Sequence, residues 1–170
     1  LPQARLHALW SLQGLDSLAE DDIARGLNDS HAGVRQHAMR LAEPRLDESP
    51  KLLTQLLRQT GDANTRIQLQ AAFSLGESSD SRAAIALAGM ARKFSSDRWI
   101  RTAVLSSSRE LAGQMMVELL NDRRFCESSG GRALLEQLAT VVGSRRNATE
   151  VNRVLQALAT KAAAVGNTSL

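Results

Sequence analysis

Apolar residues recur at helical spacing along nearly the whole chain, and segments with strand-forming residues are sparse. Leu6, Leu9, Trp10 and Leu12 cover much of the circumference of a helix over about 3–13, which therefore expects neighbours on more than one side. Gly14 is placed to close that helix in a left-handed conformation. A single stripe of Ala19, Ile23, Ala24 and Leu27 predicts the next helix; Asn28-Asp29-Ser30 reads as a turn, and a further helix runs over about 32–42 until Pro44 stops it. Ser49-Pro50 is a start signal, followed by the buried stripe Leu52, Leu53, Leu56 and Leu57. Gly61-Asp62 turns the chain into a helix over about 64–75, which Gly76 ends. Asp80 and Asp97 are placed to cap the next two helices. Beyond Ser106-Ser107-Ser108, read as a flexible linker, helical periodicity continues through Leu111, Met115 and Leu119, then Leu134, Leu135 and Leu138, then Val151, Val154, Leu155 and Leu158. Gly130-Gly131 and Gly143-Ser144 are taken to punctuate these segments. About ten helices are expected in all.

One short pattern recurs within these helices. Ala4-Arg5-Leu6-His7-Ala8, Val34-Arg35-Gln36-His37-Ala38, Ile67-Gln68-Leu69-Gln70-Ala71 and Ile100-Arg101-Thr102-Ala103-Val104 begin at nearly constant intervals. A fixed period of this length predicts a solenoid of antiparallel helix pairs, each pair burying its apolar face only by stacking on its neighbours. The expected architecture is all-α, one array over 1–170, with regular repeats over 2–120 and degenerate helices over 121–170. Ala8, Ala38 and Ala71 occupy one equivalent position, expected where adjacent helices approach closely. The first repeat helix lacks a preceding partner, so Leu6 and Trp10 are expected on an uncovered face, a candidate interaction surface. The chain begins at Leu1 without Met and without a signal-peptide pattern, which reads as a segment of a longer protein.

Composition narrows the chemistry. Ala and Leu dominate the apolar residues, with no Tyr, three Phe and two Trp, and the net charge of +3 is too small to imply a polyanion partner. A single cysteine, Cys126, excludes an internal disulfide and a cysteine-based metal site. No apolar run is long enough to span a bilayer.

The repeat resembles the HEAT repeat, whose second helix typically reads Asp-x-x-Val-Arg-x-x-Ala-x-x-x-Leu-Gly. Asp29, Val34, Arg35 and Ala38 match it in one unit; Asp62, Ile67, Ala71, Leu75 and Gly76 match in the next; Asp97, Ile100 and Arg101 match in the fourth, with Gln68 replacing Arg in the third. This resemblance implies a right-handed superhelix of the armadillo/HEAT kind. Residues 4–12, 37–43, 73–77, 101–107 and 123–125 are also similar to the helical segment of large, exported, planctomycete-type haem-binding proteins. There such a segment lies between a sugar-dehydrogenase-type propeller domain and a C-terminal c-type cytochrome domain. That resemblance implies an interdomain scaffold in an extracytoplasmic, periplasmic setting, with flanking domains or another protein as partners. No Cys-x-x-Cys-His occurs in the sequence, so no haem or other cofactor is expected on this segment.

Few residues suggest chemistry. His7 and His37 share a repeat position and are expected side by side, a contact surface or a pair of inter-repeat hydrogen bonds, since a metal site needs more ligands at shorter reach. Arg5, Arg35 and Arg101, with the turn acids Asp29, Asp62 and Asp97, read as a surface for an acidic partner or, in preference, as a row of structural Asp–Arg contacts that hold the turns, since the Asp lies just before the helix that carries the Arg. Arg123-Arg124 and Arg145-Arg146 are short basic clusters, but the few aromatics, with Trp10 and Phe73 assigned to buried helices, speak against nucleic acid. Ser106–108 and Cys126 show no nucleophile pattern, and Cys126 reads as a small, partly buried side chain. The expectation is a non-catalytic scaffold. The alternative is a nucleic-acid-binding HEAT-like protein of the DNA-glycosylase type, which requires a carboxylate beside an aromatic cleft.

Overall fold

The computed structural model describes residues 1–166, and among them every regular element is helical. The helices are α1 (Pro2–Gly14), α2 (Glu20–Leu27), α3 (Ala32–Ala42), α4 (Pro50–Gln59), α5 (Thr65–Leu75), α6 (Ser81–Lys93), α7 (Arg98–Ser106), α8 (Ala112–Leu120), α9 (Arg123–Glu127), α10 (Ser129–Arg145) and α11 (Ala148–Gly166). A three-residue 3-10 turn, Glu43–Arg45, follows α3 at Pro44. The chain divides into two compact units, residues 1–79 and 80–170.

In the first unit the odd-numbered helices form one rank, α1 against α3 and α3 against α5, while α2 packs on α4 and each of these two also meets the helix that follows it. Burial follows the stripes. Ile23 and Leu27 of α2, Val34, Ala38 and Met39 of α3, Leu52 and Leu56 of α4, and Ile67, Ala71 and Leu75 of α5 are essentially sealed from solvent. Helix α2 approaches α3 so closely at Gly26 that a β-carbon there would lie 2.8 Å from the Ala38 methyl. Helix α1 is different: only Leu9 is buried, and Ala8, equivalent to the sealed Ala38 and Ala71, is exposed. The expected close approach at Ala8 is therefore absent, because no helix of the described residues covers that side of α1.

In the second unit α8 is central, packing on α6, α10 and α11, and α7 lies against α6 and α10. Leu87, Ala88, Ile100, Leu111, Met115, Leu119, Leu134 and Leu138 form its core. Helix α8 has no cap from its own preceding residue; Glu150 of α11 accepts the Gly113 amide at 2.9 Å instead. Gly113 makes room for this, since a β-carbon there would lie 2.5 Å from Glu150 Cγ.

Several expected boundaries shift. Gly14 lies inside α1, and the left-handed residue is Asp16, at φ 52°. Gly76 ends α5 with right-handed geometry. Gly130, Gly131 and Gly143 fall within α10 rather than between helices, because Ser128 caps the helix by accepting the Gly131 amide. Gly131 is obligatory there: its missing β-carbon would collide with the Phe125 carbonyl. Ser107 and Ser108 are buried, and Ser108 Oγ donates to the Leu105 carbonyl, so this stretch is a packed turn and not an open linker.

Candidate interaction face

Aligned by the recurring pattern, Arg5, Arg35 and Gln68 hold one position on α1, α3 and α5, and their side chains line the turns. Arg5 forms a two-pronged contact with Asp29, Nε to Oδ2 at 2.6 Å and a terminal nitrogen to Oδ1 at 2.7 Å. Arg35 reaches forward in the same way to Asp62 Oδ2 at 2.8 Å, and its other terminal nitrogen donates back to the Asp29 carbonyl, six residues earlier, at 2.8 Å. Gln68 keeps only the backward half, donating to the Asp62 carbonyl at 2.6 Å, which is what a neutral amide can do. In the second unit Arg101 also reaches six residues back, to the Ser95 carbonyl at 3.4 Å. The carboxylate contacts of Arg5 and Arg35 thus link one helix to the turn ahead of the next, while Arg35 also ties down the turn before its own helix.

Asp29 and Asp62 are not helix caps. Each turns its Oδ1 onto the amide two residues on, His31 and Asn64, and those residues cap α3 and α5. Asp97 does cap α7, accepting the amides of Trp99 and Ile100, and so corresponds to His31 and Asn64. The expected Asp97–Arg101 contact is replaced by this cap and by the Arg101–Ser95 bond. The Arg5 contact holds the Asp29 carboxyl down at about 2, against the opposing pull of its partial burial.

A second line of contacts runs along the same three helices. Trp10, Arg40 and Phe73 are equivalent, as are His7, His37 and Gln70. Trp10 Nε1 donates to His37 Nδ1 at 3.0 Å, the rings edge to face at 84°. Arg40 Nε donates to Gln70 Oε1 at 3.0 Å, the same rung one step along. Gln70 continues inward through Ser74, whose hydroxyl donates to Glu43 at 2.6 Å. Burial lifts the Glu43 carboxyl above the usual range, partly offset by the Ser74 bond. His37 is pushed down, first by burial and then by the nearby Arg40 charge.

Of the residues singled out from sequence, His37 and Trp10 come together, His7 stands exposed, and Leu6 is half-buried. Trp10 is 41% exposed and Phe73 42%, although both were assigned to buried helices. The Gln70–Ser74–Glu43 network and the Arg40 rung were missed; the equivalence of 10, 40 and 73 carried the signal. No group of three or more His, Cys, Asp or Glu able to hold a metal is present among the described residues, and no helix there is long and apolar enough to cross a membrane. No known protein family, curated protein or solved structure matches the chain.

Proposed function

We propose that the chain is a non-catalytic HEAT-like scaffold, a right-handed α-solenoid of antiparallel pairs, whose α1–α3–α5 face docks on a partner protein. The carrying observation is the pair of recurring hydrogen-bond lines, arginine to turn acid and Trp10 or Arg40 to the next helix, which supports a stacked-repeat reading. A helix with one buried residue and a 41% exposed tryptophan is the kind of terminal surface on which another domain packs. The resemblance to planctomycete-type haem-binding proteins suggests that domain: the scaffold spaces a dehydrogenase-like module from a cytochrome c module in an exported polypeptide.

A nucleic-acid face of the DNA-glycosylase kind draws some support from the row Trp10, Arg40, Phe73, two exposed rings flanking a cation. Residues 1–79 carry ten Asp and Glu against eight Lys and Arg, the wrong sign for a phosphate backbone, so the protein partner is preferred. Hydrogen–deuterium exchange tests the reading on residues 1–170 alone and joined to the proposed dehydrogenase-like and cytochrome c modules. Amides of α1, α3 and α5 are expected to be more protected in the joined polypeptide, and equal exchange in the two would refute the docking role.

A further inference from the structure

Helices α6 and α11 both pack on α8, and a furrow of two depressions that share Val117 follows its outer side, the first between α6 and α11 and the second between α11 and the start of α9. One depression of about 330 Å³ is lined by Ala84 and Ile85 of α6, Val117 and Glu118 of α8, and Arg153 of α11. A second, of about 390 Å³, shares Val117 and adds Leu120, Ala157, Arg123 and Lys161. The lining is aliphatic at Ile85, Val117 and Ala157 and polar at Gln114, Asn121 and Thr160, with Ile85 half-exposed and no aromatic ring in either depression. The rim is cationic. Lys161 donates only to the Leu120 carbonyl and the Cys126 sulfur, and neither it nor Arg153 has a carboxylate within ion-pair distance among the described residues. Arg123 is held by Glu127, and Glu118 is the one acid in either lining. Residues 80–170 carry thirteen Lys and Arg against eight Asp and Glu, so the unit that holds the furrow is net positive.

We infer that this furrow binds a short amphipathic helix of a partner protein, its apolar stripe on Val117, Ile85 and Ala157 and its acidic flank on Arg153 and Lys161. A nine-residue α8 offers a floor of about 13 Å, matching two to three turns of a partner helix. Charge complementarity selects the acidic occupant, and the absence of stacking rings from the lining disfavours single-stranded nucleic acid. The furrow lies wholly within residues 80–170, so its test is separate from that of the α1–α3–α5 face.

Fluorescence anisotropy decides it with three labelled probes: a synthetic helix of about 14 residues with Leu at every third or fourth position and Glu alongside, the same peptide with Lys for Glu, and a short single-stranded DNA. The acidic peptide is expected to bind, more weakly as salt rises, and to lose about tenfold or more in affinity in the double variant Arg153→Glu/Lys161→Glu, equivalent to about 1.4 kcal/mol. Val117→Asp should weaken it comparably, while Arg132→Glu, exposed on α10 outside the furrow, should not. Circular dichroism establishes that each variant remains helical. Failure of the acidic peptide to bind, equal binding of the Lys peptide, indifference to the double reversal, or tighter binding of the DNA would each overturn the assignment.

Discussion

The imidazole of His37 accepts the Trp10 indole proton on Nδ1, so its own ring proton resides on Nε2. Protonation makes Nδ1 a donor and removes the bond. Because burial and Arg40 lower the folded pKa, the neutral form is favoured in the fold; the contribution is complete above the ordinary histidine range and is lost as pH falls through and below it. In a Trp99→Phe background, Trp10 fluorescence should therefore shift on acidification from pH 7 to 5, and His37→Gln should abolish that shift. Asp29 behaves differently: its depressed pKa keeps the Arg5 contact present above the usual carboxylate range and loses it only as pH falls toward about 2. Acidification is thus expected to release the Trp10 rung well before the Arg5 anchor. Arg35 is the most demanding of the three equivalents, with both it and Asp62 largely screened from water. Replacing Arg35 by Ala strands a carboxylate and two turn carbonyls, and chemical denaturation should register a loss of about 1.5–3 kcal/mol.

Packing between elements turns on small residues. A β-carbon on Gly26 of α2 would lie 2.8 Å from the Ala38 methyl, closer than such atoms approach, and tight against Leu9 Cδ1 at 3.1 Å, so Gly26→Ala should cost about 1–3 kcal/mol in spite of alanine's better helix propensity. Ala71→Leu, at a sealed position of α5, should lose a similar amount. An unchanged melting temperature in either variant would mean the helices can part without cost. Most elements were legible from hydrophobic spacing because each stripe has one buried side; Ser49, Asp80 and Asp97 were legible as caps because each precedes a helical stripe. The turn acids were less so. Asp29 and Asp62 precede their equivalents of Arg101 by six residues and Asp97 by four, a difference of register that residue type alone conceals. The Arg40–Gln70 rung and the Glu43 network were hidden for another reason: they depend on side-chain direction, which a period locates only to a face.

At the scale of the whole molecule, two non-glycine residues among those described carry left-handed backbone, Asp16 after α1 and Arg146 after α10. Aspartate tolerates that region better than arginine, so Arg146→Gly should stabilise the chain by up to about 1 kcal/mol and Asp16→Gly by less. The repeat made the first unit readable from sequence, whereas the second unit owes its order to a cross-helix cap, Glu150 on Gly113, and to the Gly131–Phe125 approach, neither of which recurs. The two lines of contacts in the first unit also fix where its length can vary. Trp10 and His7, Arg40 and His37, and Phe73 and Gln70 keep one helical offset, yet the rungs span 27 and 30 residues. The extra residues lie between Arg35 and Asp62, a stretch that includes the Glu43–Arg45 turn. Insertions and deletions are therefore tolerated in the connections but not between positions 5 and 10, 35 and 40 or 68 and 73. One added residue there rotates the remainder of the helix by about 100° and aims every following side chain away from its acceptor.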